Sequence, residues 1–76
     1  ALNLWHESRN ERLTNREMDV IACIAKGFSN QDIAQALFVS EKTVKNHLTN
    51  IFRKLGVTDR TQALIYVLKH NIMELD

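Results

Sequence analysis

Residues 40–56 run SEKTVKNHLTNIFRKLG, and they divide cleanly by side. Ser40 is a good helix N-cap, Glu41 suits the positively polarised first turn, and Gly56 can take the left-handed conformation that closes a helix. A helix is therefore predicted over about 41–55. At about 100° per residue, Val44, Leu48, Ile51, Phe52 and Leu55 share an arc of roughly 100°, the apolar stripe by which an amphipathic helix packs. Lys42, Lys45, Asn46, Thr49, Asn50 and Arg53 lie on the other side. That face holds cations, amides and a hydroxyl but no carboxylate, and only Glu41 interrupts it, at the first turn. Residues 42–60 contain five Lys or Arg against one acid, whereas the remainder has five against eight. Solvated faces ordinarily mix both signs; here positive charge is gathered into one region of a chain whose net charge is only +1.

Upstream, Phe38 and Val39 separate this helix from another. Two residues are too few for a loop and too apolar for solvent, so both are expected to turn inward and fix the angle between the helices. Ser29 caps the preceding short helix, with Asp32 three positions on and Ile33, Ala34 and Leu37 as its apolar face. Earlier still, Thr14-Asn15-Arg16-Glu17 has the spacing of a capping box, with Leu13 and Met18 placed as a hydrophobic staple. The helix it starts runs to about Lys26, carries Met18, Ile21, Ala22 and Ala25 at helical spacing, and ends at Gly27. Downstream, Asp59 and Gln62 mark a fourth start, and that helix continues to about Asn71. Its Ala63, Leu64, Val67, Leu68 and Asn71 are expected to face the core, leaving Thr61, Gln62, Ile65, Tyr66 and Lys69 outside. With no proline and two glycines in 76 residues, the fold class is all-α, with four helices.

Length and composition bound the function. A chain of 76 residues holds one domain and has no interior for a large cofactor. With 45% hydrophobic and 25% charged residues it is an ordinary globular sequence, and its apolar runs are too short for a membrane span. One cysteine cannot form an internal disulfide, which fits a reducing compartment such as the cytoplasm. The amino end lacks the layout of a signal peptide, and the first residue is not Met, so the sequence reads as a fragment or a processed chain. Residues 1–12, polar after Trp5 and without helical period, read as a linker or tail in which Leu2, Leu4 and Trp5 are the apolar side chains; residues 13–76 read as the domain.

The polar face of the third helix suits a nucleic-acid duplex. Lys and Arg neutralise phosphates, Asn pairs bidentately with adenine, and the Thr methyl touches that of thymine. A fifteen-residue helix, about 22 Å long and about 10 Å across, fits a major groove about 12 Å wide. A short helix, a tight corner and a polar-faced long helix make a helix-turn-helix. Asn30 and Gln31, at the amino end of the second helix, are placed to donate to a backbone phosphate. One such domain covers about 600–1,000 Å² of DNA surface, too little for tight specific binding, so a homodimer on DNA is expected through the outer face of the fourth helix. The competing readings are a protein-interaction module, and the helical domain of a polymerase specificity factor.

Leu13-Thr14-x-Arg16-Glu17, Gly27-x-Ser29-Asn30-x-x-Ile33-Ala34, Leu37-x-x-Ser40-Glu41-Lys42-Thr43-Val44-Lys45-Asn46-His47 and Lys54-Leu55-Gly56-Val57 together resemble the DNA-binding domain of LuxR-type transcription regulators, the NarL/FixJ class. The resemblance covers residues 13 to about 72. It implies a third helix in the major groove of double-stranded DNA and a fourth that mediates dimerisation. It also implies the output half of a two-component response regulator, controlled by a covalently linked receiver domain and acting on RNA polymerase; other members of the family sense a diffusible ligand or stand alone. Carried over by position, Lys45, Asn46 and Thr49 resemble the base-reading residues. Ser40, Lys42, Thr43, Asn50 and Lys54 match phosphate contacts, and Thr61, Ile65, Tyr66 and Lys69 fall on the dimer face. Many relatives carry a cation where this chain has Thr49, so the resemblance extends to the docking mode and not to the base preference.

Catalytic chemistry has no matching pattern. Cys23 lies among Ile21, Ala22 and Ile24 and reads as a buried structural thiol. His6, His47 and His70 are too far apart for a metal-ligand spacing, and His47 falls at the border of the apolar stripe, where a packed ring is expected. Glu17 with Asp19, and Glu74 with Asp76, lie near helix or chain ends, where capping or solvation accounts for them. The chain is expected to be no enzyme and to need no cofactor and no metal.

Overall fold

Each helix of the computed structural model, which describes residues 12–70, begins at a side chain that the sequence marks out. The helices are α1 (Asn15–Ala25), α2 (Asn30–Leu37), α3 (Glu41–Leu55) and α4 (Arg60–Lys69), with no strand among the described residues. Before α1, Thr14 Oγ1 accepts from the Glu17 N–H at 3.0 Å while Glu17 Oε1 accepts from the Thr14 N–H at 2.9 Å. Ser29 and Asp32 make the same reciprocal pair before α2, both at 3.1 Å. Ser40 Oγ accepts from the Thr43 N–H at 3.1 Å, and Asp59 accepts from the Gln62 N–H at 2.8 Å. Gln62 departs from the simple box: its Oε1 accepts from the Thr58 N–H at 3.1 Å, one residue upstream of the cap. Each such cap is worth about 1 kcal/mol.

Three helices end through a left-handed residue. Gly27 (φ 84°) follows α1, and the Phe28 N–H returns to the Cys23 carbonyl at 3.1 Å; Gly56 (φ 71°) follows α3, and Val57 returns to Phe52 at 3.0 Å. After α2 the same position is taken by Phe38 (φ 61°), and Val39 returns to Ala34 at 3.0 Å. This corrects the expectation that both corner residues turn inward. Val39 packs against the core, whereas Phe38 is 94% exposed. A residue in the left-handed region cannot follow the helical direction of its predecessors, and here the turn that seats Val39 throws Phe38 outward.

The core forms where α3 meets the other three helices. Val44 and Ile51 are fully buried and Leu48 and Leu55 nearly so, packed with Val20, Ile21, Ile33, Ala63 and Val67, while Phe52 is half-buried at the rim. Each fully buried Val, Ile or Leu contributes about 1.5–3 kcal/mol. Cys23 is buried, as expected, and burial pushes its thiol pKa up.

α4 is rotated from the expected facing. Its buried line is Ala63 and Val67; Leu64 and Tyr66 sit half-buried on either side, and Leu68 is 47% exposed. The Tyr66 ring packs on the core and on the His70 ring, with centroids 4.2 Å apart, so Tyr66 is not stranded in water, and Leu68 takes its place outside. With the contact centred on the line through Ala63 and Val67, Leu68 falls about 120° from its middle on a helix turning about 100° per residue. The expected tail over residues 1–12, apart from Arg12, lies outside the described residues, as do Asn71, His6, Glu74 and Asp76.

Candidate nucleic-acid interface

Because Val44, Leu48, Ile51 and Leu55 are locked inward, the opposite face of α3 has no choice but to face solvent. Lys42, Lys45, Asn46, Thr49, Asn50 and Arg53 are all exposed there, as the periodicity requires. At the amino end Ser40 is exposed and Thr43 half-buried, and the two hydroxyls are 3.0 Å apart. Thr49 Oγ1 donates to the Lys45 carbonyl at 3.0 Å, one turn back. The face is thus continuous from Ser40 to Arg53. His47, at its border, is half-buried as expected.

Lys54 is not on it. Expected to reach a phosphate, it is 8% exposed, and its Nζ donates to Glu17 Oε1 at 2.8 Å and to the Arg12 carbonyl at 3.1 Å. Those bonds hold the ammonium inside, away from any phosphate. Burial raises the Glu17 pKa, but the hydrogen bond and charge of Lys54 and the two bonds with Thr14 outweigh it, leaving the carboxyl below the ordinary carboxylate range. One carboxylate therefore both caps α1 and anchors the last turn of α3.

Asn30 is half-buried, and its Oδ1 accepts a hydrogen bond from the Arg60 guanidinium, whose other arm donates to the Phe28 carbonyl at 3.2 Å. A guanidinium only donates, so the Asn30 carboxamide must turn its oxygen to Arg60 and its NH₂ away. Gln31 is exposed beside it. Local spacing gives no sign of this role for Arg60: the two residues are thirty positions apart in the chain, and only the packing of α4 brings them together.

On α4, Thr61, Ile65 and Lys69 are exposed, Ile65 by 55%, and Leu68 joins Ile65 one turn on, a second apolar residue that the expected facing had placed inside. Among the described residues no three His, Cys, Asp or Glu side chains gather as a metal site would need, and no helix is long and apolar enough to cross a membrane.

Two helices joined by a tight corner, the second seated on the core by one face and presenting a carboxylate-poor polar face outward, define a helix-turn-helix domain. The family model described as bacterial regulatory proteins, luxR family, matches residues 11–67, and the chain belongs to that family, a DNA-binding domain of transcription regulators. The response regulator protein VraR of Staphylococcus aureus is 55% identical over 64 residues, which are 84% of this chain and 31% of that protein. VraR of Staphylococcus epidermidis shows the same identity over the same share. The chain thus spans about a third of the length of these relatives. Among solved structures, the response regulator ChrA of a heme-sensing two-component system superposes with a TM-score of 0.80 at 38% identity, over 83% of this chain and 31% of that one. The transcription factor GerE superposes with a TM-score of 0.78 at 41% identity, over 84% of this chain and 96% of that one.

Proposed function

We propose that this chain is the operator-reading output domain of a two-component response regulator. α3 enters the major groove, where Lys45, Asn46 and Thr49 face base edges while Lys42, Thr43 and Asn50 hold the flanking phosphates; Ser40, whose hydroxyl donates to Thr43, serves that contact by orienting the threonine. Asn30 gives its NH₂ to the backbone from the first turn of α2. Two copies pair on DNA through Thr61, Ile65, Tyr66, Leu68 and Lys69, which lets two third helices read one side of the duplex about 34 Å apart. A covalently linked receiver domain controls that pairing, and RNA polymerase is the downstream partner; in support, the relatives named as response regulators extend well beyond the matched third. The domain works in the cytoplasm and carries out no catalysis.

The single observation behind this reading is the exposed, carboxylate-poor face of α3 running from Lys42 to Arg53, opposite the buried Val44, Leu48, Ile51 and Leu55. The test is binding to random and selected duplexes at about 50 and 200 mM salt. Affinity that falls steeply with salt, and enrichment of a two-half-site sequence from a random pool, support the operator reader. No binding at the lower salt leaves the face as a protein-docking surface.

A further inference from the structure

A hydroxyl has one hydrogen to give, and the two threonines of α3 are placed differently. At the amino end Ser40 Oγ donates to Thr43 Oγ1 at 3.0 Å, so Thr43 receives a hydrogen and keeps its own for a phosphate oxygen. Thr49 Oγ1 instead donates to the Lys45 carbonyl at 3.0 Å. This back-bond turns the hydroxyl onto the helix's own backbone, a known alternative for Thr in a helix, and leaves the γ-methyl as the other branch of a side chain that is exposed. Thr49 follows Lys45 by four positions and Asn46 by three, so the three share one patch. Lys45 and Asn46 bring hydrogen-bonding heads to it; Thr49 brings a methyl.

We infer that Thr49 reads a thymine by methyl contact, so that each half-site requires a thymine methyl beside the base pair served by Lys45 or Asn46. The inference rests on α3 being the base-reading helix and adds to it the base and the chemical group. The C5 methyl is an apolar mark that thymine alone among the four bases shows in the major groove. The acceptor edges of guanine and adenine need a donor, and Thr49's one hydrogen is already engaged.

A duplex enriched from a random pool by the wild-type chain is the probe, and each of its thymines is replaced singly by deoxyuridine, which removes only the methyl. One such replacement per half-site should weaken wild-type binding about fourfold, the worth of roughly one buried methyl. Thr49→Val, which keeps a methyl and discards the hydroxyl, should bind within about twofold of wild type and retain that sensitivity. Thr49→Ser and Thr49→Ala, which remove the contact from both half-sites at once, should each bind about fifteenfold more weakly and be indifferent to the same replacement. Melting curves taken alongside confirm that each variant is folded. Wild-type strength in Thr49→Ser with weak binding by Thr49→Val would assign the contact to the hydroxyl and overturn the inference. Wild-type binding indifferent to every deoxyuridine would overturn it as well, with DNA reading intact. Failure of the pool to enrich any sequence is a separate result that removes the base-reading role of α3 itself.

Discussion

Lys45 and Lys54 stand on the same helix and carry the same charge, yet one is exposed among amides and hydroxyls while the other is buried against Glu17 and the Arg12 carbonyl. They are about half a turn apart around the axis, given about 100° per residue. Gathered positive charge therefore does two jobs in this domain. The exposed part faces outward where a duplex would lie, and the buried part fastens the far end of that helix to the start of α1. A charge count over residues 42–60 cannot separate them; burial and hydrogen-bond partners do.

The contrast can be broken from the buried side first. Lys54→Ala leaves the Glu17 carboxylate inside without its partner and should destabilise the domain by about 3–5 kcal/mol in urea unfolding. Removing both charges with Glu17→Gln and Lys54→Met should recover most of that loss, since a buried pair stabilises little over a neutral replacement. A double variant no more stable than Lys54→Ala would show that the pair, rather than the orphaned charge, carries the energy.

From the exposed side, Lys45→Ala should leave unfolding within about 0.5 kcal/mol of wild type. Its effect appears on DNA, where losing a base contact costs about 1–3 kcal/mol and relaxes preference at one position. Uniform weakening across all sequences would move Lys45 to the phosphates. Acid sharpens the same contrast. The Glu17 carboxyl titrates lower folded than unfolded, so its stabilisation is fully present above about pH 4.3, the ordinary glutamate value, and is lost as pH falls through the lowered folded value. Unfolding measured from pH 6 downward, to about pH 2, should show this loss in wild type and not in the double variant.

The smallest effect is expected at the corner. Phe38 occupies a left-handed position that glycine fills after α1 and α3. The strain of about 1–2 kcal/mol for an L-residue exceeds the entropy that glycine adds to the unfolded chain, about 0.5–1 kcal/mol. Phe38→Gly should thus stabilise the domain by about 0.5 kcal/mol, read as a raised unfolding midpoint. A lowered midpoint would mean that the exposed ring makes a contact worth more than the strain.

Much of this architecture is legible in the sequence, because its determinants are local. Thr14, Ser29, Ser40 and Asp59 cap within three residues of themselves, and the stripe from Val44 to Leu55 is a matter of period. What escaped depended on distant partners or on one residue's handedness. Lys54 pairs with Glu17 from thirty-seven positions away, and Arg60 reaches Asn30 across the fold. Phe38 is apolar, and nothing in its neighbours announces a left-handed turn. On α4 the apolar residues spread around most of the cylinder, so period alone could not choose between Tyr66 and Leu68 for the inner side. A wheel drawn from Val44 puts Lys54 about 80° away on one side and Lys45 about 100° away on the other, so angle alone does not say which of the two is buried.

The thiol of Cys23 has a practical consequence. It is the chain's one cysteine, it is buried in α1, and burial holds its proton on more tightly. A thiol-reactive dye meets the reactive thiolate only in molecules that have opened, so labelling kinetics count excursions out of the native state one protein at a time. The molecule carries its own opening clock, readable by mass spectrometry with no engineered probe.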